Sequence, residues 1–482
     1  MHLRFALRSF FYMLATLCLS AMAVAGTPVI VVTSPLNNAQ TLGPVHYIVS
    51  AESSQCAGGI AAMEIYSAPH VVAYAIAGGK MNGYINLQPG TYDTVVQAWD
   101  RCGGVAKADV NITVTGETTP GGFVYTVNSD YFNHDTTNSI EGFTIVAADG
   151  SLAATGQGPI QANVDPRAVA SDLGGYRLYV GDYISGDVFP FFIDRSNGYI
   201  FPVPGAPFPV NRSVTAVAVH PSGTLVFATR DEETNGDGIA VFQVQSDGSM
   251  QPAPGSPYTT QIGPQALAVD PSGKYLFVAD WSGYIDAFSI DASSGSLSPL
   301  PGSPFQINTP SGCDGSPQAN PNDIADVFGK YLYTSDLWGN SIAGFSIGAG
   351  TLTQISGSPY CLNTASSLAV NGTGKFLYAR NSDSNGILHI SIYSISANGA
   401  LTFIKEIGSS SDEVGCQGPL RTDSTGNYLY TGACAELLPG YLGLAGFSIN
   451  HRTGDLTELP TSPYTYPVDS VFVAIQDIAV TP

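Results

Sequence analysis

Seven positions at one repeated register hold most of the chemistry this sequence offers. Asn128, Asp182, Arg230, Asp280, Asp336, Asn381 and Ala433 each close a short apolar strand of common design. Asn and Asp at a strand end suit two roles. They cap a turn by accepting from nearby backbone N–H groups, or they offer oxygens to a ligand. Arg230 breaks the pattern, and Arg380 lies one place before Asn381. Two cations among carboxylates would clamp an anionic ligand through paired N–H donors. They would serve equally as solvated salt bridges to neighbouring Asp residues.

Aromatic residues decorate the same loops: Trp281, Trp338, Tyr183, Tyr131 and Phe132. Beside carboxylates such rings can stack on sugar faces; a lone exposed Trp also serves as a loop anchor. The run 231–238 is dense in oxygen donors, and Asp231, Glu233, Asn235 and Asp237 are chemically suited to calcium. The spacing is not that of an EF-hand, and a solvated acidic loop has the same composition. No other cofactor is expected. His134, His220, His389 and His451 are the histidines beyond residue 122, and only His134 falls in a loop with access to the expected site face. No Gly-x-Ser-x-Gly elbow, phosphate loop or dinucleotide turn is present.

The elements that must position these residues are short strands in a repeat of roughly 50 residues, the period of a β-propeller. Second strands begin near Phe123, Tyr176, Leu225, Tyr275, Tyr331, Phe376 and Tyr428, giving seven units. Innermost strands precede six of them: 168–170, 216–219, 266–269, 323–326, 367–370 and the weaker 419–422. The first unit lacks one, and Asp477-Ile478-Ala479-Val480-Thr481-Pro482 at the chain end matches Ala266–Pro271. The terminal strand is therefore expected to close the ring and pair an edge otherwise left open. Inner strands rich in Ala and Val suit blades converging on an axis. The recurring Gly-Ser-Pro-aromatic set, as in Gly255–Tyr258 and Gly302–Phe305, is expected to end the outer strand and return its aromatic ring to the core between blades.

Residues 123–482 resemble the seven-bladed lactonase-like propellers, which include bacterial 6-phosphogluconolactonases, and the YVTN-type repeat proteins. The resemblance rests on the strand ends Tyr125-Thr126-Val127-Asn128, Tyr179-Val180-Gly181-Asp182, Phe277-Val278-Ala279-Asp280 and Tyr333-Thr334-Ser335-Asp336, with their Pro-Ser-Gly turns. Those motifs are scaffold, so the resemblance implies fold more firmly than activity. Family enzymes are expected to use His, Arg and Glu around a central pocket, and no such set transfers to this sequence.

Ahead of the repeats, residues 27–116 read as an immunoglobulin-like β-sandwich, with Cys56 and Cys102 placed to bridge facing strands; residues 117–122 read as a linker. Residues 1–25 read as a cleaved export signal: Arg4 and Arg8, an apolar stretch, then Ala23-Val24-Ala25. Without Cys18, six cysteines remain, and the expected disulfides are Cys56–Cys102, Cys313–Cys361 and Cys416–Cys434. The net charge of −21 argues against nucleic acid and anionic membranes as partners. No segment after the signal is long and apolar enough to insert in a membrane. The expectation is an all-β, monomeric, secreted or cell-surface protein. It binds a carbohydrate or a protein, with lactone hydrolysis at Arg230, Arg380 and axial carboxylates as the alternative.

Overall fold

A computed structural model of the chain describes residues 27–41, 45–67, 71–85, 90–115, 121–130, 138–146, 149–161, 165–231, 238–308, 313, 319–348, 351–383, 388–408, 418–434, 441–459, 462–467 and 473–482. Every helix or strand among them is a strand. The expected export signal lies outside the described residues, as does most of the linker. Two compact units form, most of residues 27–113 in the first and 114–482 in the second.

The first unit has two antiparallel sheets. Val29–Ser34, Val45–Glu52 and Lys80–Ile85 make one; Ala39–Thr41, Val105–Val114, Gly90–Asp100, Ile60–Ser67 and Val71–Ala77 make the other. Alternation puts Val96 and Ala98 inward, with Tyr47, Met63, Ile65 and Ile112 buried beside them. The Tyr47 hydroxyl bonds Thr94 Oγ1 at 2.7 Å, linking a strand of each sheet. Cys56 and Cys102 are bonded, with Cα atoms 5.8 Å apart. Their position departs from expectation: both lie in connections, after Val45–Glu52 and after Gly90–Asp100, so the bond ties two loops rather than facing strands.

The second unit is a ring of seven antiparallel blades. Their inner strands, in order, are Val473–Val480, Pro166–Ser171, Val217–Val219, Pro264–Val269, Pro321–Val327, Ser367–Val370 and Leu420–Thr422. The chain end completes blade 1: Val473–Val480 pairs with Phe123–Asp130, Ile478 opposite Thr126 and Val480 opposite Val124. Ile478 is buried, and Thr481 and Phe123 exchange two further hydrogen bonds. An edge that would template aggregation is thereby paired.

Second-strand tyrosines lock neighbouring blades. The hydroxyls of Tyr125, Tyr333, Tyr378 and Tyr430 donate to the carbonyls of Gly198, Gly399, Gly454 and Gly150, each in the outer hairpin of the next blade. The last of these runs from blade 7 to blade 1. Burial pushes all four phenols above their ordinary pKa.

The Gly-Ser-Pro-aromatic sets do more than stop the outer strand. Ser256, Ser303 and Ser358 each accept, through Oγ, a third-strand N–H, from Val241, Ala287 and Gly344. The chain then returns to the same third strand as a two-residue strand, Tyr258–Thr259, Phe305–Gln306 or Tyr360–Cys361. Those aromatics are half-buried and pack against the apolar clusters between blades, as expected. Cys361 sits in one such strand and is bonded to Cys313 in the connection to blade 5, Cα to Cα 5.2 Å. The expected Cys416–Cys434 bond lies outside the described residues, since Cys416 is not among them.

Candidate active site

The inner strands decide what faces the axis, and the charged residues of three of them meet there. Arg421 of blade 7 sends Nη2 to Asp477 Oδ1 of blade 1 at 2.8 Å, and Nη1 to Asp323 Oδ2 of blade 5 at 3.3 Å. One guanidinium thus links the inner strands of blades 5, 7 and 1. The carboxylates are held in turn. Asp323 Oδ2 accepts from Ser367 Oγ at 2.6 Å and from Leu368 N at 3.0 Å; Asp477 Oδ2 accepts from Val169 N at 3.0 Å. Burial opposes the charge on Arg421, but Asp477 and Asp323 together outweigh it and lift its pKa above the ordinary value. The three side chains remain 33%, 15% and 14% exposed, so they line a channel instead of filling it.

Above this triad opens a cavity of about 620 Å³ to which all seven inner strands contribute. Its walls include Arg167, Gln265, Asn322, Gln476 and the rings of Trp281 and Trp338. Arg167 lies 4.1 Å from the centre of the Tyr183 ring and bonds Asp165 at 3.0 Å. Below the triad a second space of about 420 Å³ continues along the axis, and Asp323, Arg421 and Asp477 border both. They form the waist of an axial channel.

The expected site residues divide sharply. Trp281 and Trp338, 39% and 66% exposed, do line the cavity. Asp182, Asp280 and Asp336 are buried turn caps. Asp182 accepts from Asp165 N, Ile184 N and Ser185 N; Asp280 from Ser282 and Tyr284; Asp336 from Gly339 N. A Cβ on Gly339 would fall on the Asp336 carboxylate, which explains glycine there. Arg230 donates to the Val210 carbonyl at 3.2 Å and is not among the cavity-lining residues. Arg380 is buried between blades 6 and 7, donating to Gly418 O, Thr431 Oγ1 and Gly432 O. Burial depresses its pKa to about 10. Neither arginine stands at the axis, because second-strand side chains point between blades.

Of the suggested calcium residues, Asp231 is buried and its carboxylate accepts from Gln265 Nε2 at 3.2 Å; Glu233, Asn235 and Asp237 lie outside the described residues. His134 lies outside them too. His220 bonds Gly273 O across two turns, and His389 faces Glu406 in blade 6. The axial triad was present in the sequence as charge on strands otherwise built from Ala and Val. That was the available signal.

Comparison with known proteins agrees with the geometry. The family described as "Lactonase, 7-bladed beta-propeller" matches residues 200–313. No curated protein matches the chain. Among solved structures, a Bacteroides fragilis protein provisionally named a 6-phosphogluconolactonase is 18% identical, with a TM-score of 0.58 over 76% of this chain and 99% of its own. The periplasmic gluconolactonase of Pseudomonas aeruginosa is 15% identical, with a TM-score of 0.56 over 75% and 99%. The second unit is thus a seven-bladed β-propeller, and residues 200–313 within it match the lactonase family model. At these identities the likeness defines the fold and leaves the activity to the site.

Proposed function

We propose that this propeller opens a sugar-derived lactone in its axial cavity. The observation that carries the reading is the Arg421 triad beneath a polar cavity with two tryptophan walls. The ring of a polyhydroxylated lactone fits against Trp281 and Trp338. Amides of Gln265, Asn322 and Gln476 suit its hydroxyls. In the reaction, a water loses a proton to the Asp477 carboxylate and attacks the carbonyl carbon. The tetrahedral oxyanion forms beside Arg421; the ring C–O bond then breaks and the leaving oxygen takes up the proton. The names of the structural neighbours favour this chemistry over a purely adhesive role.

One observation favours a second reading, in which the same cavity binds a sugar or aldonic acid without turnover. Asp323 and Asp477 are each engaged by several donors, which leaves fewer of their lone pairs open to take a proton from water. Purified mature protein assayed on a panel of aldonolactones separates the two. Hydrolysis abolished by Asp477→Asn supports the enzyme. Calorimetric binding of aldonic acids with no turnover supports the binder. With either outcome, Trp281→Ala and Trp338→Ala each weaken the ligand roughly tenfold with little change in melting temperature; ligand affinity unaltered in both would move the site elsewhere.

Two disulfides are compatible with an oxidising, extracytoplasmic setting, and we infer export on that basis together with the N-terminal sequence. The two-sheet first unit supports an immunoglobulin-like assignment, with a spacer or second binding role.

A further inference from the structure

Three neutral side chains of the axial cavity turn their hydrogens toward its wall. Gln265 Nε2 donates to Asp231 Oδ2 at 3.2 Å and to the Pro264 carbonyl at 3.4 Å. Asn322 Nδ2 donates to the Ser366 carbonyl at 2.8 Å. The Thr215 hydroxyl donates to the same Pro264 carbonyl at 2.6 Å. Carbonyl and carboxylate oxygens only accept, so these bonds fix which end of each amide meets the wall. What the three residues keep for a ligand is chiefly oxygen. All three line the cavity.

The cations of the cavity are committed in the same way. Arg167 sends Nε to Asp165 Oδ2 at 3.0 Å, and Asp165 is fully buried. Arg421 is shared by Asp323 and Asp477. The cavity and its immediate backing thus set three carboxylates against two guanidiniums. The chain as a whole adds to this, with a net charge of −21. An incoming anion meets no surplus of positive charge. A neutral sugar ring brings hydroxyl hydrogens for the oxygens and an apolar face for Trp281 and Trp338.

We propose that the axial cavity selects uncharged, unphosphorylated sugar lactones, and that Asp165 is the residue that denies Arg167 to a phosphate. The selectivity rests on the cavity being the ligand site, as argued above. Asp165 is a positioning residue, because it acts through Arg167. A sugar phosphate carries about −1.5 to −2 near neutral pH, and like charges brought together across a binding surface weaken it by orders of magnitude. The same balance acts on the product. Opening the lactone turns a neutral ring into a carboxylate, which the surrounding acids repel. The substrate enters uncharged and the acid leaves as it forms.

The test compares D-glucono-1,5-lactone with its 6-phosphate on the purified protein. The kcat/KM ratio should favour the unphosphorylated lactone by at least about 100-fold and should narrow as salt is raised, because screening weakens repulsion. Asp165→Asn leaves a neutral amide beside Arg167 and should narrow the ratio roughly tenfold. Gln476→Lys adds a cation to the same wall and should act likewise, which covers a first variant that fails to fold. A wild-type ratio near one overturns the selectivity. So does a ratio untouched by salt and by every folded variant, since a cavity merely too small for the phosphate would behave that way. D-Gluconate should inhibit only well above the KM of its lactone; inhibition at or below that KM also counts against the proposal. Binding of D-glucose and D-glucose 6-phosphate, followed by tryptophan fluorescence, needs no turnover. Preference for glucose with neither lactone hydrolysed upholds the selectivity and removes the enzyme. Equal hydrolysis of both lactones does the reverse.

Discussion

Arg380 and Arg421 stand in adjacent blades, and burial works against the charge of both, yet they do opposite work. Arg380 lies on a second strand and points into the seam between blades, where it meets carbonyls and a hydroxyl. Burial there lowers its pKa to about 10. Arg421 lies on an inner strand and points to the axis, where two carboxylates from other blades raise its pKa. The same side chain is a strut in one layer and a charge centre in the next. Distance from the axis, more than residue type, sets the role.

The largest effect should come from exchanging each arginine for methionine. Arg421→Met leaves Asp323 and Asp477 facing each other without a cation, and ligand turnover or binding should drop at least about 100-fold. Arg380→Met removes the guanidinium donor to three acceptors and should cost on the order of 3 kcal/mol in urea unfolding. Activity per folded molecule should nevertheless survive in that variant. Equal losses of activity in the two would erase the contrast.

A second contrast, intermediate in size, concerns acids. Asp280 is protonated in the fold up to about pH 7, whereas in the unfolded chain it ionises near the ordinary Asp value. A raised pKa means the fold holds the proton that the unfolded chain releases, so its stabilising contribution is complete below about pH 4 and is lost as pH rises through 7. Asp280→Asn should therefore match the wild type in thermal unfolding at pH 4 and exceed it at pH 8.5. Asp323→Asn, by contrast, takes an anionic partner from Arg421 and should destabilise the protein.

The smallest expected effect tests ring closure. Tyr430→Phe removes the hydroxyl that bonds Gly150 O at 2.8 Å between the last blade and the first. Tyr333→Phe removes the equivalent bond between blades 5 and 6. Each should cost about 1 kcal/mol in chemical unfolding. A far greater loss for Tyr430→Phe would mark the closure as the weak seam of the ring.

The fold was largely legible because its signals are local. Strand patterns such as Tyr275–Asp280 recur at a fixed period, and the terminal Asp477–Pro482 copies an inner strand, so the sequence alone implied seven units and a closed ring. The tryptophans of the cavity were legible too, since Trp281 and Trp338 follow second strands on one face. The acids beside them read equally well as ligands or caps, and burial made them caps.

What only the tertiary structure decided is which charges meet. Arg421 is 56 residues from Asp477 and 98 from Asp323, and no periodicity links the three. They converge because blade 1 takes its inner strand from the chain terminus and because the inner strands of blades 5, 7 and 1 all face one narrow axis. A one-dimensional repeat fixes what each blade is made of. Closure in three dimensions decides which side chains it aims at the centre.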